Sequence, residues 1–74
     1  MPLVVGIRFH PASKVYYFDP GELTDLREGE YVVVETSRGE EIGKVVIAPR
    51  QVAEDEIVGR LKGVRRRASA QDLV

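Results

Sequence analysis

The run of residues 29–48 constrains the fold of this chain more than any other segment. It holds two β-branched stretches separated by Arg38-Gly39. At least one residue of such a tip needs positive φ, which glycine adopts without strain. Gly43 lies inside the return stretch, where glycine usually marks a bulge or a sharp coil. The pattern predicts a strongly bent antiparallel hairpin, the building block of a small β-barrel.

The segments before this hairpin predict two further strands and a turn. Residues 3–10 alternate with period two, which predicts a half-buried strand. Residues 14–18, Lys-Val-Tyr-Tyr-Phe, predict an aromatic strand. Asp19-Pro20-Gly21 predicts a type II turn in which the glycine takes positive φ.

The remaining segments complete the expected fold. Residues 22–29 are expected to form a polar connection held to the core by Leu23 and Leu26. Pro49 is expected to end the return strand, and residues 60–67 are compatible with a fifth strand. The whole pattern predicts an all-β fold, either a small SH3-like barrel or a partly open five-stranded antiparallel barrel.

The last residues predict the start of a helix. Ser69 has the side chain of an N-cap residue, and Asp72 is favourable at the positive end of a helix dipole. The chain ends two residues later, at Val74. We therefore expect a barrel domain over residues 1–68, and the truncated start of a following helix or domain over 69–74. The alternative is a frayed tail on a complete protein.

Composition excludes several classes of protein. The 74 residues allow one domain, without cysteine and with a single histidine, so disulfides and thiolate metal sites are excluded. A net charge of −1 does not fit a domain that is basic throughout and binds nucleic acid. No apolar run approaches the roughly 18 residues of a membrane span, and no secretory signal is recognisable. We expect a cytoplasmic protein without membrane contact.

No residue pattern supports catalysis. His10 lies between Phe9 and Pro11, without a neighbouring carboxylate or nucleophile. No serine lies in a nucleophile elbow, and the glycines form no phosphate-binding loop. The acidic run 54–56 is expected to be solvated rather than to hold calcium or magnesium. We expect no enzyme activity and no cofactor.

Two sets of residues are candidates for binding. Five positive charges fall within eight residues, which is typical of phosphate contacts: Arg60, Lys62, Arg65, Arg66 and Arg67. They either contact RNA, form a solvated face that balances the acidic run 54–56, or meet a further part of the protein. The candidates for protein contact are exposed aromatic residues and the hairpin tip, namely Tyr16, Tyr17, Tyr31 and Arg38. The tyrosines are also candidates for base stacking or for the core.

The order of these segments resembles the start of a bacterial family, the YaaT or RicT-like family, also called stage 0 sporulation protein or PSP-one C-terminal domain regulatory proteins. The resemblance covers nearly the whole chain. Its most specific phrases are Tyr-Tyr-Phe-Asp-Pro-Gly at 16–21 and Val-Glu-Thr-x-Arg-Gly at 34–39. It implies a longer cytoplasmic scaffold whose characteristic domain lies mostly outside this segment.

The resemblance also implies a function and partners. Members form a complex with two small helical regulatory subunits, which influences sporulation, competence and biofilm formation and is linked to messenger-RNA processing through ribonuclease Y. That complex has been described as carrying iron–sulfur clusters. This chain has no cysteine, so any cluster ligand would lie outside it. It also has Arg65-Arg66-Arg67, where a more apolar strand is expected in relatives.

We therefore expect a non-catalytic interaction module of a regulatory scaffold, with an RNA-contacting module as the alternative. An open sheet edge and apolar surface intended for another domain would also favour self-association of the isolated chain.

Overall fold

The computed structural model describes residues 2–57 and 59–73. Within them the chain forms one antiparallel sheet with the strand order β2-β1-β4-β3-β5. The strands are β1 (Leu3–Arg8), β2 (Tyr16–Phe18), β3 (Tyr31–Thr36), β4 (Gly39–Gln51) and β5 (Val64–Arg67), and a short 3-10 helix spans Glu54–Glu56. The predicted all-β fold is confirmed.

The sheet is a partly open barrel rather than a closed one. Its edge strands, β2 and β5, share no ladder, and the chain next to them meets at a single parallel bridge between Asp19 and Gly63. There the Asp19 N–H donates to the Lys62 carbonyl and the Val64 N–H donates to the Asp19 carbonyl, both at 2.9 Å. Of the two predicted architectures, the partly open one is therefore correct.

Strand β1 is buried on both faces, so the prediction of a half-buried strand is wrong. Val5 and Ile7 belong to the central hydrophobic cluster. Val4 points to the opposite face and is also fully buried. The segment after β4 stays bound beside the start of β1, because the Val52 N–H donates to the Pro2 carbonyl at 3.0 Å. Alternation alone could not show that β1 lies between two strands and is covered on its second face.

Strand β4 continues through Pro49, and the prediction that this proline ends the strand is also wrong. Val4 pairs with Arg50 and Gly6 with Ile47, so Ala48 and Pro49 together lie opposite one residue of β1. This is a β-bulge, a place in a sheet where proline is tolerated because regular pairing is interrupted. A second register shift follows at Val46. Both bulges of β4 thus lie after Lys44, the last residue of β4 that pairs with β3.

Gly43 is required by close packing rather than by a bulge. It pairs with Val32 in regular register. A Cβ at this position would overlap Cγ2 of Ile7 and would lie 3.3 Å from Cε1 of Phe9. The absence of a side chain lets β1 and the Phe9 ring approach β4. The predicted bulge at Gly43 is therefore wrong, and the position requires glycine because a larger residue would collide with Ile7.

The hairpin tip has the predicted glycine chemistry. Thr36 pairs with Gly39, and Ser37 and Arg38 form the loop between them. Gly39 has φ +103°, whereas no non-glycine residue in the described part of the chain has positive φ. The Thr36 hydroxyl accepts the Arg38 N–H at 3.1 Å and lies 2.7 Å from the Glu41 carboxylate. The tip is consequently a well-bonded turn.

The connection between β2 and β3 closes one side of the core. Gly21 has φ +61°, as the predicted type II turn requires, and its N–H donates to Asp19 Oδ1 at 2.8 Å. Leu26 is buried within the central cluster, and Leu23 packs against that cluster from its rim. The prediction that these two leucines hold the connection to the core is confirmed.

The chain after β5 forms a hydrogen-bonded turn. The Asp72 N–H donates to the Ser69 carbonyl at 3.0 Å and the Leu73 N–H donates to the Ala70 carbonyl at 3.3 Å. The Asp72 carboxylate accepts the Ser69 N–H at 2.7 Å. Residues 69–73 thus form a turn rather than a helix, and the expected start of a following helix or domain over 69–74, with its boundary at residue 68, stays a prediction. In the described residues, no helix has the length and apolar character needed to cross a membrane.

Candidate functional site

The three consecutive arginines of β5 are paired with carboxylates. Arg65 contacts Glu35 at 2.8 Å and Glu40 at 3.5 Å. Arg67 contacts Asp25 at 2.9 Å and Glu30 at 3.0 Å. These acidic partners lie on β3, β4 and the connection before β3, so the arginines cross-link the surface around the edge strand.

Arg66 points to the other side of β5 and holds the C-terminal turn. Its guanidinium forms a two-pronged contact with the Asp72 carboxylate. This ion pair and the hydrogen bonds from Ser69 hold the pKa of Asp72 far below its usual range. The Arg67 guanidinium likewise lowers the pKa of Asp25. Both carboxylates are therefore charged throughout the neutral range.

The pairing reduces the positive charge that β5 offers to a ligand. A phosphate would have to compete with carboxylates that already occupy the three arginines. Of the five basic candidates, Arg60 and Lys62 have no ion pair with another described residue. The acidic partners are also not those of the run 54–56. RNA contact by this stretch stays a prediction that depends mainly on Arg60 and Lys62.

We expect acid to loosen the C-terminal turn and the β5 surface. Carboxyl groups with lowered folded pKa values stabilise the fold fully above their unfolded values, and this contribution is lost as the pH falls towards the folded ones. The urea midpoint of unfolding should therefore decrease below about pH 4. Asp72→Asn should make that decrease shallower. An unchanged pH profile for Asp72→Asn would contradict this role of the ion pair.

A groove, here called the tip groove, lies between the hairpin tip and β2 and encloses about 540 Å³. Tyr16 lines it and is 49% exposed. Its ring packs on Phe9 with centroids 6.0 Å apart. Arg38 of the hairpin tip lines the groove as well. The structure thus brings two predicted contact residues together, and Lys62 from the basic set joins them.

A second groove, here called the side groove, encloses about 420 Å³ on the outer face of β4. Tyr31 lines it and is 43% exposed. Basic and apolar side chains complete its walls, among them Arg8, His10, Lys44, Ile42 and Leu73. Tyr17 is half-buried and lines neither groove. Of the four predicted protein-contact residues, three therefore line grooves.

Sequence reasoning missed Phe9, Arg8 and Lys44. Phe9 lines both grooves, yet the alternation of β1 indicated only a core position. Arg8 and Lys44 form a cross-strand pair at one end of the β1–β4 ladder. This pairing depends on the register of the two strands, which the sequence does not give, so no sequence signal pointed to these two residues.

His10 lies at the rim of both grooves. Its backbone N–H donates to Ser13 Oγ at 3.4 Å, and its ring has no hydrogen bond to another described residue. Among the described residues no group of three metal-ligating side chains comes together. The described lining of the side groove is aromatic, aliphatic and basic, whereas the tip groove also contains Glu41 and hydroxyl side chains.

The fold and these grooves define a small, partly open β-barrel module with two surface grooves that meet at Phe9. The chain is 46% identical over 71 residues to the stage 0 sporulation protein YaaT of Bacillus subtilis, a match that covers 96% of this chain. The resemblance to the YaaT/RicT-like family is thereby confirmed. The chain spans 26% of the length of that relative. No family model matches the chain, and no solved structure matches it.

Proposed function

We propose that this chain is a non-catalytic interaction module of a cytoplasmic regulatory scaffold that acts in sporulation. The observation that carries the proposal is its 46% identity to a stage 0 sporulation protein over 96% of its own length. Because the chain spans only 26% of that relative, the module would contribute a binding surface to a larger protein.

The tip groove supports protein binding. Tyrosine and arginine are the residue types that most often dominate the energy of protein interfaces. Tyr16 and Arg38 are both exposed and both line this groove. Phe9 and Phe18 line it too, with ring centroids 6.0 Å apart in an edge-to-face arrangement. A preformed aromatic surface loses little conformational freedom on binding, which favours affinity.

The family resemblance suggests which partners the module meets. They are the remainder of a longer scaffold chain, small helical regulatory subunits and the ribonuclease Y machinery. Through them the module would modulate RNA processing and development, including competence and biofilm formation. No cofactor within this chain is part of the proposal, since cysteine ligands for an iron–sulfur cluster are absent from its sequence.

A chimaera of Bacillus subtilis YaaT tests the proposal. The matching segment of YaaT is replaced by this chain, and heat-resistant spores are counted. We expect the chimaera to support sporulation. The double variant Tyr16→Ser, Arg38→Ala should reduce the spore count at least about tenfold, because it removes two exposed side chains of the types that dominate interface energies from the tip groove.

The matched control is Arg50→Ala, which removes another exposed arginine, at the far end of β4. Immunoblotting must show equal amounts of all the chimaeras. Transcript processing in the same strains tests the link to RNA. A chimaera that fails to sporulate although it accumulates normally, or a double variant that sporulates like the Arg50→Ala control, would contradict the proposal.

A further inference from the structure

One stretch of β4 has a free backbone edge. The Glu35 N–H donates to the Gly63 carbonyl and the Ala68 N–H donates to the Tyr31 carbonyl, so the backbone groups of alternate β3 residues face β5. The backbone N–H and C=O groups of the residues between them, including Val32 and Val34, therefore face β4. The backbone groups of their partners on β4, Gly43 and Glu41, face β3 in return. It follows that the N–H and C=O groups of Glu40 and Ile42 point away from β3.

On that far side, no described strand pairs with Glu40 or Ile42. Strand β1 pairs with β4 only from Lys44 onward, where Arg8 is its partner. Beyond Arg8 the chain turns away, because the Phe9 and His10 N–H groups donate to Ser13 Oγ at 3.1 and 3.4 Å. The edge of β4 at Glu40 and Ile42 is thus unpaired, at the place where a continuation of β1 would lie. An unpaired edge can pair with another strand.

The side groove beside this edge has an unbalanced charge. Arg8, Lys44 and His10 line it together with apolar side chains, and no aspartate or glutamate is among its described lining residues. Neither Arg8 nor Lys44 forms an ion pair with a described carboxylate. The Nε of Arg8 is buried and has no hydrogen-bond partner among the described residues. This charge is complementary to carboxylates on an incoming segment.

The opposite face of the same edge favours apolar groups. Phe9 packs there against Gly43. Glu41 lies on that face as well, since it pairs with Val34 of the core. A carboxylate of a ligand would be repelled by Glu41 on this side. On the other side it would be attracted by Arg8 and Lys44, since the carboxylate of Glu40 on that face already contacts Arg65 at 3.5 Å. Because side chains of a strand alternate between faces, the edge selects a segment in which acidic and apolar residues alternate.

We propose that an extended segment of a protein partner, with alternating acidic and apolar residues, adds as a short strand to β4 at Glu40 and Ile42. Its carboxylates contact Arg8 and Lys44 in the side groove, and its apolar side chains contact Phe9. This inference rests on the proposed function of the chain as an interaction module and names the chemistry of the segment that it binds.

The test uses fluorescence anisotropy with two short labelled peptides, one alternating valine and glutamate and one alternating valine and lysine. We expect the valine–glutamate peptide to bind and the valine–lysine peptide not to bind. Glu40→Pro removes an outward N–H without removing a bond to β3. Arg8→Gln removes a charge-assisted hydrogen bond. Each should weaken binding at least about tenfold.

Two matched controls separate these effects from side-chain loss. Glu40→Gln changes the same side chain but keeps the backbone N–H, and Lys14→Gln removes an exposed charge outside the side groove. Lys14→Gln should bind like the unaltered chain, and Glu40→Gln should bind at least as tightly, because it also removes a negative charge near the edge. Circular dichroism tests whether Glu40→Pro is folded. If that variant is unfolded, the binding of Arg8→Gln decides the test.

Three results would overturn the inference: no binding of the valine–glutamate peptide at roughly millimolar concentration, equal binding of both peptides, or unchanged binding by folded Glu40→Pro and by Arg8→Gln. Sedimentation can give a fourth such result. If the unaltered chain dimerises and Glu40→Pro does not, the occupant of the edge is a second copy of this chain. Failure here leaves the spore count of the YaaT chimaera unaffected, so the two proposals fail separately.

Discussion

Gly43→Ala should lower the free energy of unfolding by about 1–3 kcal/mol, the usual range for overpacking in a core. The added methyl group would overlap Cγ2 of Ile7, a fully buried side chain whose branched Cβ restricts its rotation. A core of this size seldom supplies more than about 3–5 kcal/mol, so a large fraction of the stability is at stake. Urea unfolding followed by far-ultraviolet circular dichroism measures the loss.

Gly63→Ala is the matched control for this prediction. A Cβ at Gly63 has as its nearest neighbour the Asp19 carbonyl oxygen at 3.9 Å, an ordinary contact. We expect this variant to be neutral or slightly more stable, since alanine restricts the unfolded chain. In an Ile7→Leu background, which moves the branch away from Cβ, Gly43→Ala should cost less. Equal stabilities of Gly43→Ala and Gly63→Ala would contradict the packing argument.

Leu26→Ala should unfold most of the molecules at ambient temperature. Leu26 comes from an irregular connection, yet it is only 2% exposed and belongs to the central cluster. Truncating a buried leucine costs about 2–5 kcal/mol, which is comparable with the whole stability expected for a domain of this size.

Leu23→Ala in the same connection is the control, because Leu23 is half-buried at the rim of the cluster. It should cost clearly less than Leu26→Ala. The two variants are compared by thermal unfolding and by the dispersion of amide signals in NMR spectra. A Leu26→Ala protein as stable as Leu23→Ala would show that the connection does not complete the core.

Local patterns predicted the parts of the fold that depend on neighbouring residues. The glycines at Gly21 and Gly39 have the expected positive φ, and the hairpin between β3 and β4 is in place. The long-range parts were not predictable. Whether β1 is covered on one face or two depends on which strands flank it, and sequence alternation does not contain that information.

Pro49 and the arginines of β5 show the same limit for particular residues. Proline interrupts a strand only where its N–H is needed, and the β4 register places Pro49 in a bulge. The charge run of β5 indicated a basic surface. In the fold its arginines meet carboxylates that are distant in sequence, such as Glu35 and Asp25. Their neutralisation follows from topology, and so does the grouping of Tyr16 with Arg38.

Site-specific photo-crosslinking in the YaaT chimaera tests the central claim most directly. Benzoylphenylalanine replaces Ser37, which is exposed and lines the tip groove beside Arg38, or, as control, Arg50 at the far end of β4. We expect irradiation of living cells to give, at position 37, an adduct with one protein that mass spectrometry identifies, absent from position 50 and lost with Tyr16→Ser. Adducts with RNA alone, or the same protein adducts at both positions, would contradict the claim that this module binds a protein through its tip groove.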